Sequence, residues 1–315
     1  MKRFSLITAA ALIVSIFPSY LFAEIYIGLA APLTGAYSAI GNSVRKAVEL
    51  AVSDINSAGG VLNQRLELIY GDDVGSPKHA VAVARKFAFE QRVGLVVGHI
   101  LSSCSIAASQ IYQNARILQI TPASSNPKLT NSGNRYFVRL AENSDAEIKV
   151  IPEVLSQFYE GKRIAILYSE NYYDRSYAQT FADQLKLNRI KPLLLSKPLT
   201  DRNMDDVFRD ISISKANIIY SIVGESDLDA FFRNINSQNF TADITYFLPE
   251  DYSARSSAQN VVKRLIGVGI EPDNFALQAY AAVQVWAKEA NSVRSIVAER
   301  ISRELKSGRH YDTIL

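Results

Sequence analysis

The chain has 315 residues and a single cysteine, Cys104. No disulfide can form within it, and a lone thiol in an oxidising compartment is expected to be buried. Its three histidines, His79, His99 and His310, lie far apart, and with one cysteine they give no metal-ligand spacing. Lys and Arg (34) nearly balance Asp and Glu (31), for a formal net charge of +3, and no basic stripe argues for nucleic acid. Low-complexity tracts and short repeats are missing. The first predicted strand is followed by Leu33-Thr34-Gly35-Ala36-Tyr37, not by Gly-x-Gly-x-x-Gly. Gly267-Val268-Gly269 lies elsewhere, and no Gly-x-Ser-x-Gly elbow occurs. These absences argue against a nicotinamide enzyme or an elbow-type hydrolase. No cofactor or metal is expected.

Only the first residues form a long apolar run. Lys2 and Arg3 precede Phe4 to Phe17, Pro18 breaks the run, and Leu21-Phe22-Ala23 offers a cleavage site before Glu24. Residues 1–23 read as a secretory signal peptide. The run is short for a spanning helix, and no cysteine follows the cut to carry a lipid. A soluble, exported protein is expected, long enough after cleavage for two domains.

The rest alternates strand and helix. Ile25–Ala31 reads as a strand, and a helix beginning at Gly41-Asn42-Ser43 carries Val44, Ala47, Val48, Ala51, Val52 and Ile55 at helical spacing before Gly59-Gly60 stops it. Leu66–Tyr70 is a strand, Lys78–Phe89 a helix, and Val93–Val97 and Ile117–Ile120 are strands on either side of a short helix whose apolar side is Ile106, Ile111 and Tyr112. A second series follows: strand Arg163–Tyr168, helix Tyr177–Leu187, strand Pro192–Leu195, helix Met204–Ile213, strand Asn217–Val223, helix Ser226–Ile235 and strand Ile244–Leu248. Helices follow from Phe275 to Ala290 and from Val293 to Leu305. Such alternation requires parallel sheets with helices on their faces. Two series joined near residue 142 predict a two-lobed α/β protein, each lobe a doubly wound parallel sheet. The expected divisions are 24–142 for the first part of lobe 1, 143–266 for lobe 2 and 267–315 for the return to lobe 1.

In such sheets ligands bind beyond the carboxyl ends of the strands. Here the stretch Gly98–Ser125 places Ser102, Ser103 and Ser105 after one strand end and Ser124 and Ser125 after the next. Hydroxyls and free N–H groups at a helix start make a seat for a carboxylate. The same residues also serve as ordinary helix caps, so both readings stay open on these residues alone.

Further marks run along most of the chain: APLTG at Ala31–Gly35 with Gly41, AVSDINSAGGV at Ala51–Val61, GDD at Gly71–Asp73 with PKHAVAVARK at Pro77–Lys86, VGHILSS at Val97–Ser103, ITPASS at Ile120–Ser125 with PKLT at Pro127–Thr130, RIAILY at Arg163–Tyr168 with Tyr173, PE at Pro249–Glu250, and PDNFALQAYAA at Pro272–Ala282. In this order they resemble the periplasmic substrate-binding proteins of branched-chain amino acid ABC transporters, the Leu/Ile/Val-binding type. The resemblance implies a type I periplasmic binding fold that closes on one amino acid and presents it, as a monomer, to a membrane permease. It implies that Ser102 and Ser125, beside Leu101 and Ser124, hold the carboxylate. The Ala123 carbonyl and the Glu250 carboxylate would hold the ammonium, and Tyr173, Phe275 and Ile40 would line the side-chain pocket. Ile40 stands where an aromatic residue is common in the family, and Gly224 where some members have Tyr, so a wider pocket is expected.

The resemblance departs in two places. VKRLIGVGIE at Val262–Glu271 stands where the family has a further strand and helix, and YDTIL ends the chain before a last crossing and hairpin. An internal deletion and a shortened C-terminus are the expectation, with the family fold retained from 24 to about 250. The alternatives are a non-transporting sensor or a degenerate paralog. The repressors that share this fold are opposed by the signal peptide and by the absence of a helix-turn-helix head.

Overall fold

The computed structural model describes residues 24–141, 144–158, 163–168, 172–195, 204–216, 218–222, 245–246, 258–267 and 273–307. The first series builds a five-stranded, all-parallel sheet in the order β2-β1-β3-β4-β5. Its strands are β1 (Ile25–Ala31), β2 (Leu66–Asp72), β3 (Leu95–Gly98), β4 (Leu118–Thr121) and β5 (Phe137–Arg139). Between them run helices α1 (Ser38–Ser57), α2 (Pro77–Arg85, continued by a π-helical turn over Lys86–Gln91), α3 (Ser102–Ala115) and the short α4 (Lys128–Asn131).

Alternation along the buried strands sorts side chains to two cores. Ile25, Ile27, Leu29 and Ala31 of β1 join Leu95 and Val97 of β3 and Leu118 and Ile120 of β4 on one face, against α1. Ala30 and Val96 face the other way, against Ala80, Val83, Ala84 and Phe87, and against Cys104, Ala108 and Tyr112 of α3. Two expectations shift here. First, α1 starts at Ser38 rather than at Gly41, and Gly41 is instead a point of close approach. A Cβ on Gly41 would lie 2.0 Å from the Pro32 carbonyl oxygen, while the Asn42 amide donates to the Leu33 and Ser38 carbonyls. Second, Ile106 of α3 is exposed, and the buried side is Cys104, Ser105, Ala108 and Tyr112.

The second series comprises α5 (Ser144–Phe158), β6 (Arg163–Tyr168), α6 (Tyr172–Leu187), β7 (Lys191–Leu195), α7 (Met204–Ser214), β8 (Ile218–Ile222) and β9 (Thr245–Tyr246). Its strands pair in parallel in the order β7-β6-β8-β9. Ile164, Ile166 and Tyr168 of β6 pack with Tyr177, Phe181 and Leu185 of α6 and with Tyr220 of β8. The Phe181 and Tyr220 rings stack face to face, with centroids 4.2 Å apart and planes 21° from parallel. The helix expected at Ser226–Ile235 lies outside the described residues.

Three later helices return to the first sheet: α8 (Gln259–Gly267), α9 (Asn274–Ser292) and α10 (Ala298–Leu305). Val261 and Leu265 of α8, Leu277 and Trp286 of α9 and Ile301 of α10 all join the core that α1 covers. The Arg264 guanidinium donates to both carboxylate oxygens of Asp54 on α1, at 2.7 and 2.6 Å, and the Tyr280 hydroxyl donates to the same carboxylate at 2.7 Å. The VKRLIG segment forms most of α8 and packs on the core that α1 covers. No described helix is long and apolar enough to cross a membrane.

The β1–α1 loop is fastened by Asp72. Its carboxylate accepts from the Leu33 N–H at 2.9 Å, the Thr34 hydroxyl at 2.5 Å and the Val74 N–H at 2.9 Å. Burial alone would raise the Asp72 carboxyl, but bonds from the Thr34 hydroxyl and from backbone N–H groups outweigh it and hold it below its ordinary value of 3.8. A carboxyl depressed by folding adds stability that is complete above its unfolded value and is lost as pH falls through the folded one. Asp72→Asn should therefore lower stability at neutral pH and flatten its fall in acid, below about pH 5, as measured by denaturant midpoints across pH. An unchanged acid limb would show that Asp72 does not fasten the loop. Gly98 makes a second demand: its φ is +126° and a Cβ there would lie 2.0 Å from the Ala30 carbonyl oxygen. Gly98→Ala should cost more than about 2 kcal/mol in chemical denaturation, and a wild-type midpoint would contradict that close approach.

Candidate functional site

The strand order reverses between β1 and β3: the chain leaves β1 for β2 on one side and adds β3, β4 and β5 on the other. A crevice for ligand opens at the carboxyl ends of the strands at such a reversal. The loops that meet there follow β1 (32–37), β3 (99–101) and β4 (122–127). The second sheet repeats the device between β6 and β8.

Beneath the first crevice lies a buried polar cluster. His99 Nδ1 is 2.6 Å from Asp73 Oδ2, and His99 Nε2 is 3.2 Å from the Tyr112 hydroxyl. The other Asp73 oxygen accepts from the Gly75 N–H at 2.9 Å. The His99 carbonyl accepts from the hydroxyls of Thr121 at 2.7 Å, Ser124 at 3.2 Å and Ser105 at 3.3 Å. Ser105 and Ser124 share a 2.7 Å bond, and the Gln119 amide donates to the Gly98 carbonyl at 2.9 Å. Asp73, His99, Ser105, Gln119 and Thr121 have no exposed surface. Burial pushes the Tyr112 hydroxyl well up, with the Asp73 charge adding to it. The Cys104 thiol is buried as expected, and is pushed up to about 12 by burial first and by Asp73 second. That makes it a poor nucleophile.

Above this cluster the predicted residues divide. Ser102 opens α3, but the N-cap is Leu101 and no side chain caps the helix, so the serines here are not spent as caps. The Ser102 hydroxyl accepts from the Asn126 N–H at 3.3 Å and is partly exposed, which brings the β3 and β4 loops together. Ser125 is partly exposed, and its carbonyl accepts from Arg139 at 2.9 Å. Ala123 and Ile40 are partly buried against the core on the α1 side, and Leu101 against the core on the α3 side. Ser124 differs from its neighbours: it is buried, and its hydroxyl bonds inward to Ser105 and to the His99 and Ile100 carbonyls. Phe275 lies in the first turn of α9 and is exposed. Tyr173 lies in the first turn of α6, just past the end of β6. Glu250 and Gly224 lie outside the described residues.

Two contributors escaped the sequence reading. Arg139, the charge that ends the short strand β5, clamps the β4 loop by donating to the carbonyls of Ser125 and Asn126 and to the Thr130 hydroxyl, at 2.9, 3.1 and 2.5 Å. Its signal was the cation itself, since a buried-strand run rarely carries one without a partner. The His99–Asp73 pair joins two strand-end motifs, and only the strand order makes them neighbours. A separate cleft of ≈ 440 Å³ lies between α1 and the outer edge of β2, lined by Glu49, Asn56, Arg65, Glu67 and Tyr70 among others. It contains none of the predicted site residues.

Comparison with known proteins places this geometry in context. A family model described as periplasmic binding protein matches residues 24–259. Leu/Ile/Val-binding protein homolog 1 of Brucella suis biovar 1 is 25% identical over 340 residues, spanning 99% of this chain and 90% of its own. The fold is similar to that of a branched-chain amino acid transporter substrate binding protein from Streptococcus pneumoniae, solved with isoleucine (TM-score 0.76, 18% identity, 92% of this chain and 90% of that one). It is similar as well to that of an ABC transporter solute binding protein from Rhodopseudomonas palustris, solved with 3,4-dihydroxybenzoic acid (TM-score 0.78, 15% identity, 92% and 87%). With the family model matching most of its length and two parallel doubly wound sheets of the type I arrangement, this chain belongs to the periplasmic binding protein family.

Proposed function

We propose that the protein is the exported receptor of an ABC transporter, that it captures a branched-chain or other aliphatic amino acid between two lobes, and that it hands the closed, liganded form to a membrane permease. The observation that carries this reading is the meeting of the β3 and β4 loops, where the Asn126 N–H reaches the Ser102 hydroxyl beside an uncapped helix start. That edge is rich in donors and lies over a rigid buried frame. The family membership supports a solute receptor, and the Brucella relative's name supports the amino acid class.

The assignment follows from what an α-amino acid requires. Its carboxylate needs donors, and the Ser102 hydroxyl, the Ser125 hydroxyl and the N–H groups at the start of α3 supply them. Its ammonium needs acceptors, and the Ala123 carbonyl and the Glu250 carboxylate supply them. The apolar side chain rests among Ile40, Leu101, Tyr173 and Phe275. Ser124 acts by holding the turn between Ala123 and Ser125. Lobe 1 opens with residues 24–142 and lobe 2 begins at 143, but the expected division at 266 moves back to about 258, because Val261 and Leu265 of α8 pack in the first core; residues 1–23 are removed on export. What supports the division is the sharing of one core by α1, α8, α9 and α10. Ligand bonded to both lobes favours the closed state by its differential affinity for it.

Thermal melting of the mature chain with each natural amino acid tests the reading. Leu, Ile or Val should raise the midpoint, since a ligand at about 100 times its Kd adds about 2.7 kcal/mol to the folded state. A midpoint that moves with no amino acid would refute the proposal, and one that moves only with an aromatic acid would keep the carboxylate seat and discard the amino acid. Glu250→Ala should abolish the shift while far-UV dichroism stays unchanged. A surviving shift would remove Glu250 from the ammonium site.

A further inference from the structure

Tyr37 closes the turn after β1 and is not among the expected ligand-binding residues. It is the last residue before α1, and its side chain is 47% exposed although it lies among the strand ends of the first sheet. Its ring sits over Gly75, in the loop after β2. A Cβ on Gly75 would lie 2.8 Å from Tyr37 Cδ2 and 3.2 Å from Leu101 Cδ1. Gly75 also has a φ of +70°, so glycine is required there both for the backbone turn and for the room it leaves. Three loops, following β2, β1 and β3, thus converge on one ring, and those strands are adjacent in the sheet. The ring bridges the carboxyl end of β1 at the reversal point. It is seated on backbone below and neighboured by Leu101, and a half-open aromatic face remains. Ile40 lies in the first turn of α1, three residues beyond Tyr37.

We infer that Tyr37 selects for ligand side-chain size: its pinned ring, with Leu101 and Ile40, forms the apolar wall against which a large aliphatic or aromatic side chain rests. An aromatic ring with two rotatable bonds, already held, loses little entropy on contact. It rewards bulk through dispersion and apolar burial and offers nothing to a methyl group. The inference rests on the amino acid reading above, and the experiment separates the two.

Titration calorimetry measures Leu and Phe directly, and Ala by competition against Leu, with wild type, Tyr37→Ala and Tyr37→Phe. Tyr37→Ala should weaken Leu and Phe by roughly five- to thirtyfold and Ala by less than about twofold, so the Leu/Ala preference collapses. Tyr37→Phe should keep that preference. Gly75→Ala, whose new methyl needs the space of the ring, should erode it in the same direction. Phe89→Ala removes an exposed aromatic at the opposite end of the strands and should leave it unchanged. An equal loss for all three ligands would reduce Tyr37 to a loop support and overturn the inference, as would no loss at all. A wild-type protein that binds no amino acid would instead overturn the functional reading on which the inference stands.

Discussion

The buried pairing of His99 with Asp73 is the constraint on which the first lobe's working edge depends. A histidine and an aspartate with no exposed surface each need partners, because an orphaned polar group in the core costs more than the bond is worth in water. A carboxylate can only accept, so the ring nitrogen facing Asp73 carries its proton. That contact locks the loop after β2 to the loop after β3. The carbonyl of the same histidine then collects hydroxyls from β4, from α3 and from the turn beyond β4. Few polar groups in the cluster can move without leaving another unsatisfied.

This frame explains how short loops present donors in fixed positions without being rigid in themselves. Ser102 and Ser125 lie above it, partly exposed, while Ser105 and Ser124, of the same residue type and in the same motifs, are consumed below. Arg139 closes the assembly from β5 by holding two successive carbonyls of the β4 loop. A ligand that meets such an edge loses less affinity to ordering the protein than one that must organise it. Gly98 lets the end of β3 approach the Ala30 carbonyl, and Gly75, at a φ of +70°, turns so that its N–H reaches Asp73.

The return of the chain to the first lobe is handled by a different balance. Helix α8 stands in the segment where a deletion was expected. It buries Val261 and Leu265 and sets Arg264 bidentate on Asp54, with Tyr280 of α9 on the same carboxylate. A partly exposed ion pair contributes little on its own, so apolar burial carries the docking and the charges fix its register along α1.

Much of the architecture was legible in the residues. The strand Ile25–Ala31 and the strand RIAILY fall where their apolar runs predicted, because a doubly covered strand must be apolar on both faces. The burial of Cys104 and the stop of α1 before Gly59-Gly60 were equally readable. Other features depend on contacts distant in sequence. The helix start at Ser38 was hidden because Gly41-Asn42-Ser43 reads as the helix start until Pro32 is known to press on Gly41, and Ile106 reads as core until α3 is rotated against its sheet. The sequence by itself determined that the chain builds parallel sheets and which short segments carry hydroxyls at strand ends, since both follow from local spacing and residue type. Only the tertiary structure decided which of these serines are buried and which partly exposed, that Asp73 meets His99, and that Tyr37 rests on Gly75, since each of these needs strands from separate parts of the chain to lie side by side.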